Sequence, residues 1–266
     1  SKFIKIFNTK IGKIISKSIE NRNNSDNYYW IIGVHPVRAA LDNSKRKKSL
    51  LYVTKEAVKK LNIKGISFPI KYVSRSQIDK VVSKNSSHQG VALKVKLLEK
   101  ITLDKFLMYV RTYKSIVIIL DQITDPQNIG AIIRSAKAFG ATAVICLEKN
   151  TPRENTLMAK SSAGALESIQ IIHVKNLVNT IKKLKEYNFW SIAMDNNSDL
   201  TLKELSKNSS LFSENLAIIL GSEGKGIRPL VKNNCDTSVR IDISSNINSL
   251  NVSATLAIVL YEINRT

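Results

Sequence analysis

Short apolar runs that recur after residue 113 constrain the fold of this chain more than any other feature. Each run is four or five residues long, which suits a strand buried on both faces. The runs are Ile116–Leu120, Ala143–Leu147, Ile169–Ile172, Ser191–Met194, Leu216–Leu220 and Val239–Ile243. Helical patterns fill most gaps between them, so we predict an α/β fold with a parallel sheet covered on both faces. Ligands of such sheets bind beyond the carboxyl ends of the strands, where we expect the functional site.

The helix expected between the first two runs carries the first unusual segment. Apolar residues recur at helical spacing from Ile129 to Phe139, and Gly140 follows as a natural C-terminal stop. Asn128 stands where a helix N-cap is expected, which would be an ordinary structural role. Arg134 stands among apolar positions, so its charge must reach solvent or find a polar partner.

The second unusual segment directly follows the run Leu216–Leu220. Three of the ten glycines fall within Gly221–Gly226, which indicates either a backbone that approaches a ligand closely or an ordinary glycine-rich turn. The spacing GxxGxG matches neither the dinucleotide fingerprint nor the P-loop. Because Glu223 would repel a phosphate, an adenosine or a sulfonium cation suits this loop better.

The third unusual segment, Ser249–Ser253, opens a helix that we expect to reach Glu262. Ser249 is a candidate N-cap for this helix. Ser249, Asn251 and Ser253 also place several hydrogen-bonding groups around one helix start.

The region before these runs is predicted to contain separate parts of the chain. We predict a basic, disordered tail at residues 1–27, a small α/β unit at 28–98, a linker at 99–105 and the parallel-sheet domain at 106–266. The tail resembles an organellar transit peptide in composition, but its first 20 residues contain no arginine. We expect order to begin at Tyr28–Gly33. Helices are predicted at Pro36–Asp42 and Lys55–Leu61 and a strand at Leu50–Val53, and Ile70–Val73 and Val91–Val95 complete the unit.

Positive charge is concentrated in the N-terminal part. Residues 1–100 carry 22 Lys and Arg against 6 Asp and Glu, a net charge of +16, whereas residues 101–266 carry 19 against 15, a net charge of +4. An AT-biased genome would explain many lysines but not their segregation, so we expect a polyanionic partner. RNA is favoured over a membrane surface, because no long basic amphipathic helix is evident. The cluster Lys45-Arg46-Lys47-Lys48 is the first candidate for contact with RNA.

Composition argues against a disulfide framework, a metal site or a membrane partner. Cys146 and Cys235 show no CxxC spacing, and the three histidines His35, His88 and His173 form no ligand pattern. No apolar run approaches the length that spans a bilayer. A reducing compartment therefore fits, and we expect the bacterial cytoplasm, with an organellar matrix as the alternative.

Together, the three unusual segments resemble the motifs of the SpoU (TrmH) family of the SPOUT superfamily. The family pattern reads N-x-G-x-x-x-R-S-A-x-x-F-G, then L-G-S-E-G-x-G, then S-L-N-V-S, and this chain matches it at Asn128–Gly140, Leu220–Gly226 and Ser249–Ser253. The N-terminal unit is similar to the ribosomal-protein-like substrate-binding domain of the ribosomal-RNA members, at Ile32–Leu41 and His88–Ala92.

The resemblance implies an S-adenosylmethionine-dependent RNA ribose 2′-O-methyltransferase. Members of this family have a trefoil knot at the carboxyl end of the sheet and act as homodimers with the active site near the subunit interface. They bind the cofactor largely through backbone groups, and the corresponding positions here are Gly221, Ile241 and Leu250.

The family's proposed activator of the ribose hydroxyl corresponds to Arg134. An arginine that acts as a base at neutral pH must lose a proton at a cost of about 7–9 kcal/mol. The alternative is that Arg134 stays charged, orients a substrate phosphate and stabilises the developing alkoxide. We expect Glu223 to position Arg134 or to accept the proton, and Asn128, Ser249 and Asn251 to hold the arginine and the ribose in place.

The N-terminal resemblance also implies the substrate, a guanosine ribose in large-subunit ribosomal RNA. His88 lies in the matched stretch, and we expect it to shape its loop or to contact RNA. A tRNA ribose methyltransferase of the same family is one alternative, and a noncatalytic RNA-binding or ribosome assembly factor is another.

One stretch departs from the family pattern. The family commonly reads I-P-M-x-G before the third motif, whereas this chain reads Ile241-Asp242-Ile243-Ser244-Ser245. The loss of Pro and Gly changes the stiffness of the loop and its access to positive φ. We expect altered cofactor affinity rather than lost activity.

Overall fold

The computed structural model describes residues 27–61, 63–83, 86–110, 114–207, 209–244, 246 and 249–265. These residues form two compact units. The first contains residues 27–37 and 44–98, and the second contains residues 38–43 and 99–265. Apart from Asn27, the predicted basic tail lies outside the described residues.

The first unit contains a four-stranded sheet with the order β1-β4-β2-β3. Strand β4 is antiparallel to both β1 and β2, and β2 is parallel to β3. Between residues 28 and 96 the elements in chain order are β1 (Tyr28–Ile32), α1 (Val34–Asp42), β2 (Lys48–Val53), a 3₁₀ turn (Ala57–Lys60), β3 (Ile70–Tyr72), α2 (Arg75–Asp79) and β4 (Val91–Lys96). Residues 38–42 of α1 belong to the second unit.

The second unit contains a six-stranded sheet with the order β10-β8-β9-β5-β6-β7. The elements in chain order are α3 (Leu103–Tyr109), β5 (Ile116–Asp121), α4 (Pro126–Ala138), β6 (Ala143–Leu147), α5 (Thr156–Ser161), a 3₁₀ turn (Ala165–Glu167), β7 (Gln170–Val174), α6 (Leu177–Glu186), β8 (Phe189–Met194), α7 (Leu202–Ser206), a 3₁₀ turn (Ser209–Ser213), β9 (Asn215–Gly221), α8 (Pro229–Lys232), β10 (Thr237–Val239) and α9 (Val252–Arg265).

All neighbouring strands of this second sheet are parallel. The two central strands, β5 and β9, are almost entirely buried, as expected when helices cover both faces. The α/β fold with a parallel sheet is therefore confirmed.

Three predictions differ from the structure by more than one or two residues at the end of an element. The last strand ends at Val239 rather than Ile243, because Arg240 leaves β8 and bridges to Thr201 instead. The helix predicted at Lys55–Leu61 is a single 3₁₀ turn. Helix α3, which Thr102 caps, begins inside the segment predicted as a linker.

Both predicted helix caps are wrong, because neighbouring residues take that role. The Asp125 side chain accepts hydrogen bonds from the backbone N–H groups of Gln127 and Asn128 at 3.2 and 3.1 Å, so Asp125 caps α4. The Oδ1 atom of Asn251 accepts from the N–H of Ser253 at 2.9 Å, so Asn251 caps α9. The side chain of Asn128 is thereby left for another contact.

Gly130 permits a close approach of α4 to α5. A Cβ atom at this position would lie 1.9 Å from the Oγ of Ser161 and 2.5 Å from the carbonyl oxygen of Met158. The second of these atoms belongs to the backbone of α5, so it cannot simply rotate away.

Gly130→Ala is therefore expected to destabilise the chain by about 1–3 kcal/mol, as overpacking does. Denaturant unfolding measures the change, with Gln127→Ala on the exposed face of α4 as the control, expected within about 0.5 kcal/mol of wild type. At an exposed helix position, Gly→Ala stabilises by about 1 kcal/mol. A gain of that size in Gly130→Ala would refute the close contact.

Candidate active site

A cavity of about 360 Å³ opens at the carboxyl ends of the strands of the second unit. The segments that follow β8, β9 and β10 line it, together with the start of α9. Its lining residues are Met194, Asp195, Asn196, Asn197, Gly221–Ile227, Ile241, Ile243, Ser249, Leu250, Val252 and Thr255. A volume of this size falls in the range of small-molecule sites.

The loop after β9 is fixed by an ion pair between a buried carboxylate and an exposed arginine. Asp121, the last residue of β5, is fully buried. Its carboxylate accepts hydrogen bonds from the backbone N–H and the Nε of Arg228, and it ion-pairs with Nη2, each at 2.8 Å. Because Arg228 follows the glycine-rich loop, this interaction holds the end of the loop against the adjacent strand. Sequence reasoning missed this role of Asp121, although a carboxylate directly after an apolar run was a signal for it.

The beginning of the same loop requires glycine. Gly221 pairs with Asp121 in the sheet, and a Cβ atom on it would lie 2.2 Å from the carbonyl carbon of Gly226. The loop closes on itself there, since the N–H of Gly226 donates to the carbonyl oxygen of Ser222 at 2.8 Å. The glycine spacing therefore serves a tight turn at the wall of the cavity.

One side chain connects the three unusual sequence segments. The Nδ2 of Asn251 donates to the Oε1 of Glu223 at 2.9 Å and to the Oδ1 of Asn128 at 3.2 Å. Glu223 and the neighbouring Ser249 also line the cavity. The structure thus brings Asn128, Glu223, Ser249 and Asn251 to one edge of the sheet.

Arg134 lies apart from this group within the single chain. It is six residues beyond Asn128 on α4, which places it about 9 Å further along the helix and about a third of a turn around it. Of the two outcomes expected for Arg134, contact with solvent is the one observed, because its side chain is exposed. It makes no hydrogen bond or ion pair with any described residue.

Asp195 is a second cavity residue that sequence reasoning missed. It directly follows β8, and its carboxylate pairs with Lys232 and accepts from the N–H of Asn197. Burial raises the pKa of Asp195, but these hydrogen bonds outweigh it, so the pKa lies below its usual value. The cavity therefore contains a carboxylate that stays charged at neutral pH.

Two of the predicted RNA contacts in the first unit are structural. Arg46 is buried, and its Nη1 donates to the carbonyl oxygen of Lys96 at 2.8 Å. His88 is also buried, where its Nδ1 accepts from the N–H of Gly90 at 3.0 Å and its Nε2 lies 3.3 Å from Asp79. His88 therefore shapes its loop rather than facing RNA. Of the remaining cluster, Lys45 and Lys47 are exposed and Lys48 is half-buried.

The described part of the chain holds no group of three His, Cys, Asp or Glu residues placed for a metal ion. No helix in that part is long and apolar enough to cross a membrane.

Cys146 and Cys235 are free thiols, and burial raises the pKa of each to about 12. His173 lies within β7 rather than after it, and burial lowers its pKa.

Comparison with known proteins identifies the family. Residues 115–261 match the model of the SpoU rRNA Methylase family, which covers more than half of the chain. The chain belongs to the SpoU rRNA Methylase family. Residues 30–101 match the domain described as RNA 2′-O ribose methyltransferase substrate binding.

Individual relatives agree with this membership. A tRNA/rRNA methyltransferase of Borreliella burgdorferi is 36% identical over 201 residues, which cover 73% of this chain and 86% of the relative. A TrmH family tRNA/rRNA methyltransferase of Staphylococcus aureus is 33% identical over 242 residues, which cover 88% of this chain and 95% of the relative. The crystal structure of the SpoU methyltransferase AviRb from Streptomyces viridochromogenes with the cofactor AdoMet has the same fold, with a TM-score of 0.73, 20% identity and 92% of each chain covered.

The ion pair between Arg228 and the buried Asp121 gives a test of how the glycine-rich loop is held. Arg228→Ala leaves the buried Asp121 carboxylate without its side-chain partner, so we expect a loss of about 2–3 kcal/mol in the free energy of unfolding, the cost of a buried acceptor that loses its donor. Arg265→Ala is the matched control, because Arg265 pairs with Glu262 at the surface and such pairs contribute about 1 kcal/mol or less. Equal losses in the two variants, measured by denaturant unfolding, would show that Asp121 does not depend on Arg228.

Proposed function

We propose that this chain transfers a methyl group from S-adenosylmethionine to the 2′-hydroxyl of a guanosine ribose in large-subunit ribosomal RNA. The observation that carries the proposal is the hydrogen-bonded group of Asn251, Asn128 and Glu223 beside the cavity. These three residues come from the three family motifs, and they meet where an α/β sheet binds its ligand.

The cavity suits S-adenosylmethionine, which is the methyl donor of this enzyme. The side chains of Asp195 and Glu223 offer negative charge to a sulfonium or ammonium group, while Ile241, Ile243 and Leu250 offer apolar contact to an adenine ring. Glycines in the loop expose backbone groups to the ligand. We infer that Gly221, Ile241 and Leu250 contact the cofactor. When bound, the cofactor supplies an electrophilic methyl group.

The residues around the cavity position the ribose and balance charge. We infer that Asn251 and Ser249 orient the ribose, and that Asn251 in turn keeps Asn128 and Glu223 in place. Arg134 is exposed, and we infer that it takes the charged role rather than that of a base, because deprotonating an arginine at neutral pH costs about 7–9 kcal/mol. Arg134 then binds a substrate phosphate and stabilises negative charge that develops on the attacking oxygen. We infer that Glu223, which lines the cavity, takes the proton.

A homodimer would complete this site. Arg134 is exposed and lies apart from Asn251 within one chain. The two helices that pack against α4 carry exposed apolar residues, namely Leu157 on α5 and Ile258 and Tyr261 on α9. Burial of these residues in a two-fold interface would place Arg134 near the cavity of the partner subunit.

The choice of RNA is proposed to lie in the first unit. This unit matches a substrate-binding domain, and its part of the sequence holds most of the net positive charge. The names of the relatives include both tRNA and rRNA, so tRNA is the alternative substrate. A cytoplasmic location would give access to either RNA.

The function is tested by methylation of transcripts of large-subunit ribosomal RNA and of tRNA, using S-adenosylmethionine with an isotopically labelled methyl group. Digestion to nucleosides and mass spectrometry should find 2′-O-methylguanosine from the ribosomal transcript. Label in tRNA alone would select the tRNA alternative. Cofactor binding without transfer to either RNA would favour a noncatalytic assembly factor.

Arg134→Ala is expected to lower the methylation rate by about 10²–10³-fold, the effect of removing a group that stabilises developing charge. Arg134→Lys should also fail, because an ammonium group cannot reproduce the planar guanidinium fork. Cofactor affinity, measured by calorimetry, should stay near that of wild type. Lys137→Ala on the same helix is the control, and normal turnover by a folded Arg134→Ala protein would remove Arg134 from the mechanism.

Gly221→Ala is expected to weaken S-adenosylmethionine binding by about tenfold or more, equivalent to about 1.4 kcal/mol. The added Cβ atom would collide with the backbone of Gly226, which forces the loop away from its position. Gly224→Ala in the same loop is the control, because a Cβ atom there meets nothing within 4 Å. Calorimetry that finds equal affinities for both variants would place the cofactor in another pocket.

A further inference from the structure

One face of the sheet in the first unit carries aromatic and basic side chains side by side. Tyr28 and Trp30 of β1 pair with Lys96 and Lys94 of β4, respectively. Because side chains alternate between the faces of a strand, these four residues point to the same face. Tyr28 and Trp30 are half-buried, and so are the two lysines.

The same face continues across β2 and β3. Tyr52 of β2 pairs with Ala92 of β4 on one side and with Lys71 of β3 on the other. The small side chain of Ala92 leaves room for the rings above it, and the centroids of Trp30 and Tyr52 lie 5.1 Å apart at an interplanar angle of 47°. The tilt keeps the two rings from stacking fully on one another, and both side chains are half-buried rather than fully covered.

The aromatic rings and the lysines already interact. The Nζ of Lys94 lies 5.8 Å from the centre of the Tyr28 ring, within the range of a cation–π contact. Part of the face is covered, since Trp30 and Tyr52 pack against the buried cluster of Ile32, Ile78 and Ala92. The remaining surface combines rings that can stack with cations that can bind phosphate.

We propose that this sheet face binds an unpaired segment of RNA, with bases stacked on Tyr28 and Trp30 and phosphates bound by Lys71, Lys94 and Lys96. The inference rests on the proposed function in that the chain acts on RNA. Aromatic side chains stack on bases that are splayed out of a helix, and lysines release counterions from the RNA backbone.

Charge distinguishes RNA from the other molecules that could cover this face. Residues 1–26 of the chain carry six basic and two acidic residues, so a lysine-bearing face repels that segment. A second copy of the chain would bring an identical basic face. A polyanion with exposed aromatic bases complements both features of the surface.

Tryptophan fluorescence of the full chain tests the stacking directly. The chain has two tryptophans, so Trp190→Phe leaves Trp30 as the only one. An unstructured oligoribonucleotide of about ten nucleotides, the scale of a single-strand site, should quench Trp30. The duplex formed with its complement should not. Trp30→Phe, which retains Trp190, should show no quenching with either RNA.

Affinity measurements with matched variants test the same surface. Tyr28→Leu keeps an apolar side chain but removes the ring, so single-strand affinity should fall about tenfold, while Tyr28→Phe should retain it. Tyr72 provides the control, because it is exposed and pairs with Val53 on the opposite face of the sheet. Tyr72→Leu should bind like wild type.

Several results would overturn the inference. In the fluorescence experiment, these are Trp30 fluorescence that single-stranded RNA does not quench, or that the duplex quenches to the same extent. In the affinity experiment, the contrary result is an equal loss of single-strand affinity in Tyr28→Leu and Tyr72→Leu. A change in Trp30 emission that depends on protein concentration without RNA would also overturn the inference. Absence of quenching in a chain that methylates ribosomal RNA would reject this site and leave the proposed function intact. Quenching in a chain that methylates no RNA would support the site and reject the proposed function.

Discussion

The arrangement of the site depends on the hydrogen bonds of the Asn251 side-chain amide. Its oxygen caps helix α9 by accepting from Ser253, and its nitrogen donates to Asn128 and Glu223. The three segments that it joins follow different strands and are far apart in the sequence. A single side chain therefore caps the last helix and hydrogen-bonds both to the glycine-rich loop and to the start of α4.

Two arginines hold the loops that this amide organises. Arg228 binds the buried Asp121 and closes the glycine-rich loop. Arg240 donates from Nη1 to the carbonyl oxygens of Ser198 and Asp199, both at 2.6 Å. This second anchor lies directly before the stretch that lacks the Pro and Gly of the family pattern. The loop is therefore tied at its beginning by side-chain hydrogen bonds, and Ile241 still lines the cavity.

The sequence patterns predicted five of the six strands of the sheet well, because buried parallel strands need continuous apolar runs. The sixth run, Val239–Ile243, shares only Val239 with strand β10. The helix caps were harder to predict. The observed caps Asp125 and Asn251 lie within three residues of the predicted caps Asn128 and Ser249, and Asp, Asn and Ser are all common at this position. Charge patterns located a basic unit but could not distinguish the exposed Lys45 from the buried Arg46, since burial depends on strand pairing. Because the apolar face of α4 is broad, the sequence did not define whether the side chain of Arg134 lies at its edge or faces solvent. The trefoil knot stays a prediction.

The variant Asn251→Asp tests this account most directly. Aspartate is as good a helix cap as asparagine, so the variant keeps the acceptor for Ser253 but loses the donor to Asn128 and Glu223 and adds a like charge beside Glu223. We predict that the chain stays folded, with its cooperative unfolding transition intact, while its rate of methyl transfer to RNA falls about 10²-fold through lost positioning. A folded Asn251→Asp protein that methylates RNA at the wild-type rate would contradict the account.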